Sequence, residues 1–130
     1  MNHGDQYKVD FKLTDKIYQG FINLFEDRNC LHTDHSYAVS KGFDDVVMHG
    51  NILNGFLSYF IGECLPIKNV MIHSQDIKYS KPVYCQDDLT FFAVVTDVIS
   101  SVSVVILSFY FENQNNIKVA KGKVQIGVLN

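Results

Sequence analysis

The sequence predicts an α+β fold in which an antiparallel β-sheet wraps around a long central helix. Two observations indicate this class. Helical patterns fall mainly in the first half of the chain and strand patterns in the second, and residues 49–66 are apolar enough to form a buried helix. Neither a strand–helix–strand alternation nor a glycine-rich phosphate-binding loop is present, which disfavours a nucleotide-binding parallel sheet. The length of 130 residues indicates one domain, spanning residues 1–130.

The first part of the chain predicts a strand followed by two helices. Residues 7–13 alternate between apolar and polar side chains, as a half-buried strand does. Thr14 is expected to cap a helix over residues 15–27, where apolar side chains recur at helical spacing. Asp34 is expected to cap a short helix over residues 35–41.

Residues 49–66 form the most informative predicted helix, and Pro66 marks its limit. At about 100° per residue, its small and polar side chains fall on one arc of about 140°, although Ile61 and Leu65 intrude on that arc. Because so apolar a helix should be buried, this polar strip is expected to face a close backbone contact or an enclosed pocket rather than bulk water. The polar strip comprises Gly50, Asn51, Asn54, Gly55, Ser58 and Gly62.

The second half of the chain predicts four strands. Residues 70–79 alternate loosely, and residues 88–99 and 101–113 are rich in β-branched and aromatic side chains. Ser100 and Ser101 are expected to join the last two segments as a hairpin, and residues 117–129 alternate again. These strands predict an antiparallel meander packed on the central helix.

The composition argues against several classes of function. A net charge of −3, scattered lysines and a single arginine, Arg28, disfavour a surface for nucleic acid or anionic lipid. No apolar run is long enough for a membrane span. Cys30, Cys64 and Cys85 form no closely spaced pair, so they are interpreted as reduced thiols of a cytosolic protein, and no zinc signature is present.

The stretch FEDRNCLHTD, residues 25–34, gathers several carboxylates and an imidazole. Asp27 and His32 can converge on one water if a loop joins them, which suits general acid–base chemistry. Two other interpretations stay open from the residues alone: both side chains are simply solvated, or His32, Asp34 and His35 bind a metal. Because no further ligand cluster is evident, no metal is expected.

Several motifs in order resemble the MaoC-like hydratases, the (R)-specific enoyl-CoA hydratase family with the hot-dog fold. FEDRNCLHTD supplies the Asp, the short linker containing Asn, and the His of the family's signature, as Asp27 and His32. His49 and Gly50 match the His-Gly pair at the start of the family's central helix. The segment KPVYCQDDL resembles the family's Pro-Val-x-x-Gly-Asp segment, and the resemblance covers about residues 21–89.

The resemblance implies that Asp27 and His32 form a catalytic dyad that adds water reversibly to trans-2-enoyl thioesters, giving (R)-3-hydroxyacyl thioesters. It also implies that the backbone N–H of Gly50 holds the thioester oxygen and that Ser58 orients the site. No cofactor is implied beyond the coenzyme A or acyl carrier protein that bears the acyl group, and a homodimer or larger homo-oligomer is expected. Supporting roles fall to Asn29, His49 and Asn51, and the residues alone favour a buried His49 that fixes the helix start.

The chain departs from the family's pattern at three positions. Cys30 replaces a common Pro, Asn51 a common Met and Gln86 a turn Gly, and none of these changes removes a reacting group. Two alternative functions use the same fold. A hot-dog acyl-CoA thioesterase is disfavoured because its carboxylate usually lies on the central helix, whose first acidic residue here is Glu63, near the end. A non-catalytic acyl-thioester binding module is disfavoured because the reacting set is intact.

Overall fold

The computed structural model describes all 130 residues of the chain. It contains five strands, four α-helices, one π-helical turn and one 3-10 turn. In chain order the elements are β1 (Gln6–Lys12), α1 (Asp15–Phe25), α2 (Cys30–Thr33), α3 (His35–Ser40), α4 (Asn51–Tyr59), the π turn (Phe60–Cys64), β2 (Val70–Tyr79), β3 (Asp88–Ile99), the 3-10 turn (Ser100–Val102), β4 (Val104–Glu112) and β5 (Lys118–Val128).

The first helices begin where the sequence predicts. Thr14 and Asp34 cap α1 and α3, each accepting a hydrogen bond from the backbone N–H three residues further on. α1 ends two residues earlier than predicted because Glu26 adopts a left-handed conformation with φ 61°. The segment between Asp27 and His32 is not entirely the loop that the sequence predicts. Asn29 caps the short helix α2, which contains His32.

The five strands form one antiparallel sheet in the order β1-β3-β4-β5-β2. β3, β4 and β5 form the predicted meander. The prediction of a continuous meander is wrong for β2, which pairs with β5 because β1 occupies the remaining edge of β3. Gly122 of β5 permits the close approach of β2, since a Cβ at this position would overlap with the carbonyl oxygen of Asp76.

α4 packs against the inner face of the sheet and builds the core. Phe11 of β1 stacks on Phe56 of α4 with ring centroids 4.5 Å apart, and Phe60 lies 4.6 Å from Phe91 of β3. Phe60 and Phe91 are fully buried, and each such side chain stabilises the fold by about 1.5–3 kcal/mol. The α+β class and the buried central helix are therefore confirmed. None of the helices combines the length and hydrophobicity needed to cross a membrane.

The central helix differs from the prediction in two respects. Only residues 51–59 are α-helical, and the helix continues as the π turn. Ile61, within the π turn, and Leu65, which follows it with an extended backbone, are both buried, although regular α-helical spacing assigns them to the polar strip. Within this single chain the polar strip is also not enclosed, because its exposed members include Asn51, Gly55, Ser58 and Gly62.

The outer face of the sheet carries aromatic and basic side chains. The strand register aligns one row across all five strands, formed by Lys8, Phe92, Tyr110, Lys121 and Lys78. Phe92 and Tyr110 stack at 4.8 Å. Lysines that are scattered along the sequence thus gather on one surface. A cavity of about 1040 Å³ on this face is lined by four lysines and one carboxylate, namely Lys78, Lys118, Lys121, Lys123 and Asp76.

Candidate active site

The candidate site begins where α1 ends. The left-handed turn at Glu26 leads the chain out of the helix, and Asp27 follows in the loop before α2. Asp27 Oδ1 accepts a hydrogen bond of 3.2 Å from the N–H of Asn29, and Asn29 Oδ1 accepts one of 3.0 Å from the N–H of Leu31. These side-chain turns shape the loop. They leave Asp27 Oδ2 without a hydrogen bond on a side chain that is 51% exposed.

The ring of His32, on α2, is fixed by the backbone. Its Nδ1 lies 2.6 Å from the carbonyl oxygen of Val47. Because a carbonyl only accepts, Nδ1 carries the proton and Nε2 is the free, basic nitrogen of the neutral ring. The Tyr18 hydroxyl shares its proton between the carbonyl oxygens of His32 and Val47, at 2.7 and 3.0 Å. His32 can therefore gain a proton at Nε2 without losing the contact that orients it.

His49, just before α4, is buried as the sequence predicts. Its Nε2 donates a hydrogen bond of 2.8 Å to the carbonyl oxygen of Asp27 and lies 3.9 Å from Asp27 Oδ2. Its ring stacks on that of His32 with a centroid distance of 3.8 Å. Burial, helped by the nearby His32, lowers the pKa of His49 below 6.5, although the contacts with Asp27 oppose this shift. The imidazole is therefore neutral at neutral pH.

The structure brings Asp27, His32 and His49 together, with one potential ligand atom from each lying within 4.8 Å of the others. A carboxylate and a basic imidazole this close can act on one water, because one group polarises it while the other moves a proton. These atoms also make the trio a potential metal site. The stacked rings disfavour that use, since they are only 24° from parallel and their in-plane lone pairs do not converge on one ion.

The alternative metal set of His32, Asp34 and His35 is not assembled. The Asp34 carboxylate caps α3. His35 Nδ1 instead lies 2.7 Å from Asp45 Oδ1 on the surface. The hydrogen bond from His35 lowers the pKa of Asp45. His35 and Asp45 therefore form a separate hydrogen-bonded pair on the surface, so this metal hypothesis has no geometric support.

Gly50 caps α4 at its N-terminus. Its backbone N–H and that of Asn51 have no hydrogen-bond acceptor within the chain, whereas the next two N–H groups bond to preceding carbonyls. Free N–H groups at the N-terminus of a helix favour a negatively charged group. The ring of Tyr79 packs closely on Gly50. A Cβ at position 50 would lie only 2.8 Å from Tyr79 Cζ. A larger residue at position 50 would displace that ring.

Asn51 and Ser58 lie along the polar strip of α4. Asn51 Oδ1 accepts a hydrogen bond of 3.0 Å from Asn54 Nδ2, and Asn54 Oδ1 accepts one of 2.9 Å from Gln75 Nε2 of β2. The Ser58 hydroxyl makes no hydrogen bond within the chain, although its backbone belongs to α4. Ser58 lies about 12 Å along the helix axis from Gly50, given the rise of about 1.5 Å per residue. The structure therefore does not bring Ser58 into the Asp27–His32 cluster, and a ligand that touches both must extend along α4.

Two cavities share a lining residue at the start of α4. One, of about 900 Å³, lies between α1 and α4 and includes Asp27, and the other, of about 540 Å³, includes Gly50. Asn51 lines both. In the first cavity, Leu24 and Phe25 are 78% and 69% exposed and form an apolar wall beside the Asp27 carboxylate. Cavities of this size are typical of small-molecule sites.

The sequence reasoning missed Tyr18 and the apolar wall at the end of α1. Tyr18 and Ile22 are both buried on α1, and their helical spacing could have identified the buried face. The hydrogen bonds of Tyr18 could not be read in the same way, because its partners lie 14 and 29 residues further along the chain.

Comparisons with known proteins agree with these observations. The chain is 33% identical over 70 residues to the (R)-specific enoyl-CoA hydratase of Aeromonas caviae, covering 54% of this chain and 52% of that protein. It is 30% identical over 79 residues to the (R)-specific enoyl-CoA hydratase of Rhodospirillum rubrum, covering 61% of this chain and 55% of that protein. Each match thus spans about half the length of the curated relative. No protein-family model matches the chain.

Solved structures share the architecture. The (R)-hydratase from A. caviae involved in PHA biosynthesis has a TM-score of 0.90 at 23% identity, covering 98% of this chain and 97% of that one. R-hydratase PhaJ1 from Pseudomonas aeruginosa has a TM-score of 0.89 at 23% identity, covering 100% of this chain and 83% of that one. At this identity the likeness concerns the fold, and it confirms the hot-dog fold expected from the motif resemblance.

Proposed function

We propose that this chain is a member of the MaoC-like hot-dog family and acts as an (R)-specific hydratase of trans-2-enoyl thioesters. It would add water reversibly across the C2–C3 double bond and give an (R)-3-hydroxyacyl thioester. One observation carries the proposal: the Asp27 carboxylate and the His32 imidazole converge beside His49, at the start of α4, where the N–H of Gly50 is free. Sequence similarity to two (R)-specific enoyl-CoA hydratases supports it.

Asp27 and His32 supply the proton transfers of the proposed reaction. In the hydration direction, the oxygen of the bound water forms a bond to C3 as the C2–C3 π bond breaks. His32 Nε2, free and basic, takes a proton from the water while Asp27 Oδ2 holds its second hydrogen. The dyad then returns one proton to C2. The product gains the elements of one water, and neither an oxidant nor a reductant is required.

The start of α4 stabilises the charge that develops in this reaction. When water attacks C3, negative charge moves to the thioester oxygen, and the N–H of Gly50 at the positive end of the helix can donate to it. Ser58 would orient the ligand further along the strip. Leu24 and Phe25 would contact the acyl chain beside Asp27. Coenzyme A or an acyl carrier protein carries the acyl group, and no further cofactor takes part.

The proposal is tested by following the absorbance of the enoyl-thioester band with crotonyl-CoA. Wild-type protein should consume the band. Asp27→Asn and His32→Gln should each lower kcat by about 10²–10⁴, the usual contribution of one acid–base group. Asp97→Asn and His3→Gln change the same residue types at exposed positions outside the site, so both controls should keep wild-type turnover. Circular dichroism establishes that each variant is folded.

Other outcomes would point to the alternative functions. Absence of turnover with both crotonyl-CoA and an enoyl-acyl carrier protein would refute the hydratase proposal, and tight binding without turnover would indicate a binding module. Release of free thiol from acyl-CoA would indicate a thioesterase. We expect no such release because α4 itself carries no carboxylate and Glu63 lies beyond it, in the π turn.

We also propose that the chain forms a homodimer. β2 is an edge strand, so one side of its backbone has no partner strand. The exposed polar strip of α4 lies next to it, as the hydrogen bond between Asn54 and Gln75 indicates. A second copy can cover both surfaces through a two-fold contact.

A further inference from the structure

His49 contacts both of the proposed reacting residues. Its side chain is only 2% exposed. Nε2 donates to the carbonyl oxygen of Asp27 at 2.8 Å, and the ring stacks on His32 at 3.8 Å. Phe21 and Tyr18 of α1 surround the rest of the ring, with centroids 4.7 and 5.8 Å away. The mechanism above uses Asp27 and His32 but leaves this buried imidazole without a role.

The hydrogen bonds of His49 fit only the neutral ring. Nε2 carries a proton because its partner is a carbonyl oxygen. Nδ1 is buried and has no hydrogen-bond partner. Protonation would add an N–H at Nδ1 where nothing accepts it. In His32, by contrast, Nδ1 is already bonded and Nε2 is free. Only one of the two stacked rings can therefore take up a proton at low cost.

The unpaired Nδ1 also argues against a role in stability alone. A phenylalanine at position 49 would fill the same aromatic environment without burying an unpaired nitrogen. What histidine adds to that environment is the Nε2–H donor aimed at the carbonyl of Asp27. The identity of this residue is therefore best explained by its hold on the loop that carries the Asp27 carboxylate.

We propose that His49 is a positioning residue, which stays neutral, anchors the Asp27 loop and leaves His32 as the one ring of the stack that carries the transferred proton. The kinetic part of this inference rests on the proposed hydratase function, whereas the protonation part does not depend on any activity. The titratable groups facing His49 are Asp27 in the loop, His32 on α2 and Tyr18 on α1. Burial raises the pKa of Tyr18 to about 12, so Tyr18 stays neutral throughout.

The protonation part is tested by NMR on wild-type protein. Long-range ¹H–¹⁵N spectra between about pH 5 and about pH 8.5 report the tautomer and charge of each imidazole, with assignments from His32→Gln and His49→Gln. We expect His49 to remain the neutral Nε2–H tautomer while His32 gains its second proton. Protonation of His49 at or above the pH at which His32 protonates would overturn the inference, whether or not the protein shows hydratase activity.

The positioning part is tested by separating the ring from the donor. His49→Phe keeps the ring and loses the N–H, whereas His49→Gln keeps an N–H donor and loses the ring. With crotonyl-CoA we expect His49→Phe to lower kcat by about ten- to a hundredfold, as misplaced reacting groups do, with little change in KM or melting temperature. His49→Gln should recover part of that loss.

Wild-type kcat in His49→Phe, or a larger loss in His49→Gln than in His49→Phe, would refute the anchoring role. If both variants lose activity in proportion to a fall in melting temperature, His49 has only a structural role and the inference is refuted. If wild-type protein has no hydratase activity, the proposed function fails, and the NMR titration still decides the inference about His49.

Discussion

The Tyr18 hydroxyl links α1 to the backbone carbonyls of His32 and Val47. The carbonyl of Val47 also accepts a hydrogen bond from His32 Nδ1. Since burial raises the pKa of Tyr18 to about 12, this hydroxyl remains a donor at any working pH. Tyr18→Phe should lower the free energy of unfolding by about 1 kcal/mol. It should also lower kcat for crotonyl-CoA by about tenfold, because α2 loses its anchor.

Urea unfolding and the enoyl-absorbance assay measure these two effects. Tyr37→Phe is the matched control, because Tyr37 is exposed on α3 and its hydroxyl makes no hydrogen bond within the chain. Equal effects in the two variants would show that the contacts of Tyr18 do not position His32.

His49 should make stability depend on pH. Its pKa is lowered in the folded protein, mainly by burial, from an ordinary value of 6.5. Above that pH neither state is protonated at His49 and its contribution is constant. As the pH falls below it, the unfolded chain binds a proton that the folded protein refuses, so stability falls until the lowered pKa is reached. Between about pH 7.5 and about pH 5.5, His49→Phe should therefore lose less stability than wild type.

Urea unfolding at the two pH values measures this difference. His3→Gln, at an exposed position, should retain the wild-type dependence on pH. A His49→Phe variant that matches wild type at both values would show that the buried ring is not responsible.

At the residue scale, a short local motif was enough to identify Asp27 and His32 as candidates. It could not reveal that the ring of His49 stacks on His32, because this contact forms only when α2 and the segment before α4 come together in the fold. The contacts of Asn51, which replaces the family's common Met, are also visible only in the fold. Asn54 donates a hydrogen bond to Asn51 and accepts one from Gln75 of β2, so the three side chains link α4 to β2.

At the scale of elements, the pairing of β2 with β5 depends on Gly122. A Cβ here would overlap with the carbonyl oxygen of Asp76 and lie 2.8 Å from the ring of Phe109, so the strands would have to separate. We expect Gly122→Ala to destabilise the protein by about 1–3 kcal/mol, the usual cost of overpacking. Denaturant unfolding measures this cost.

Gly20→Ala is the control for that experiment. Nothing lies within 4 Å of the position of its Cβ, and Gly20 is inside α1. Because alanine is the better helix former, this variant should gain about 0.5–1 kcal/mol. A Gly122→Ala variant as stable as Gly20→Ala would contradict the close approach of the two strands.

Strand positions were predictable from alternation because one face of the sheet is buried, and the bounds of β2 and β3 agree with the sequence patterns. The partner of β2 was not predictable in this way, because adjacency in sequence favours a meander while β1 takes the edge of β3. Regular helical spacing also could not anticipate the π turn or the extended backbone of Leu65, and so it assigned the buried Ile61 and Leu65 to the polar strip.

At the scale of the whole molecule, the homodimer proposal predicts a definite mass. Light scattering at micromolar concentration should give twice the mass of the chain. Gly55→Arg should shift the protein towards monomer without unfolding it, because Gly55 is exposed on the polar strip and nothing lies within 4 Å of its Cβ position. Ser100→Arg, at an exposed position in the turn between β3 and β4, should leave the mass unchanged. A wild-type monomer would refute the proposal.

The lysine-lined cavity on the outer sheet face gives the protein an asymmetric distribution of surface charge. The cavity lining contains four lysines and only one carboxylate, that of Asp76, whereas the whole chain has a net charge of −3. The rest of the surface is therefore more negative than the net charge suggests. At neutral pH and low salt, the protein should adhere through this face to a cation-exchange resin as well as binding anion exchangers, and moderate salt should release it. The net charge alone would predict that the protein passes through a cation-exchange column, whereas the lysine-lined face should retain part of it there.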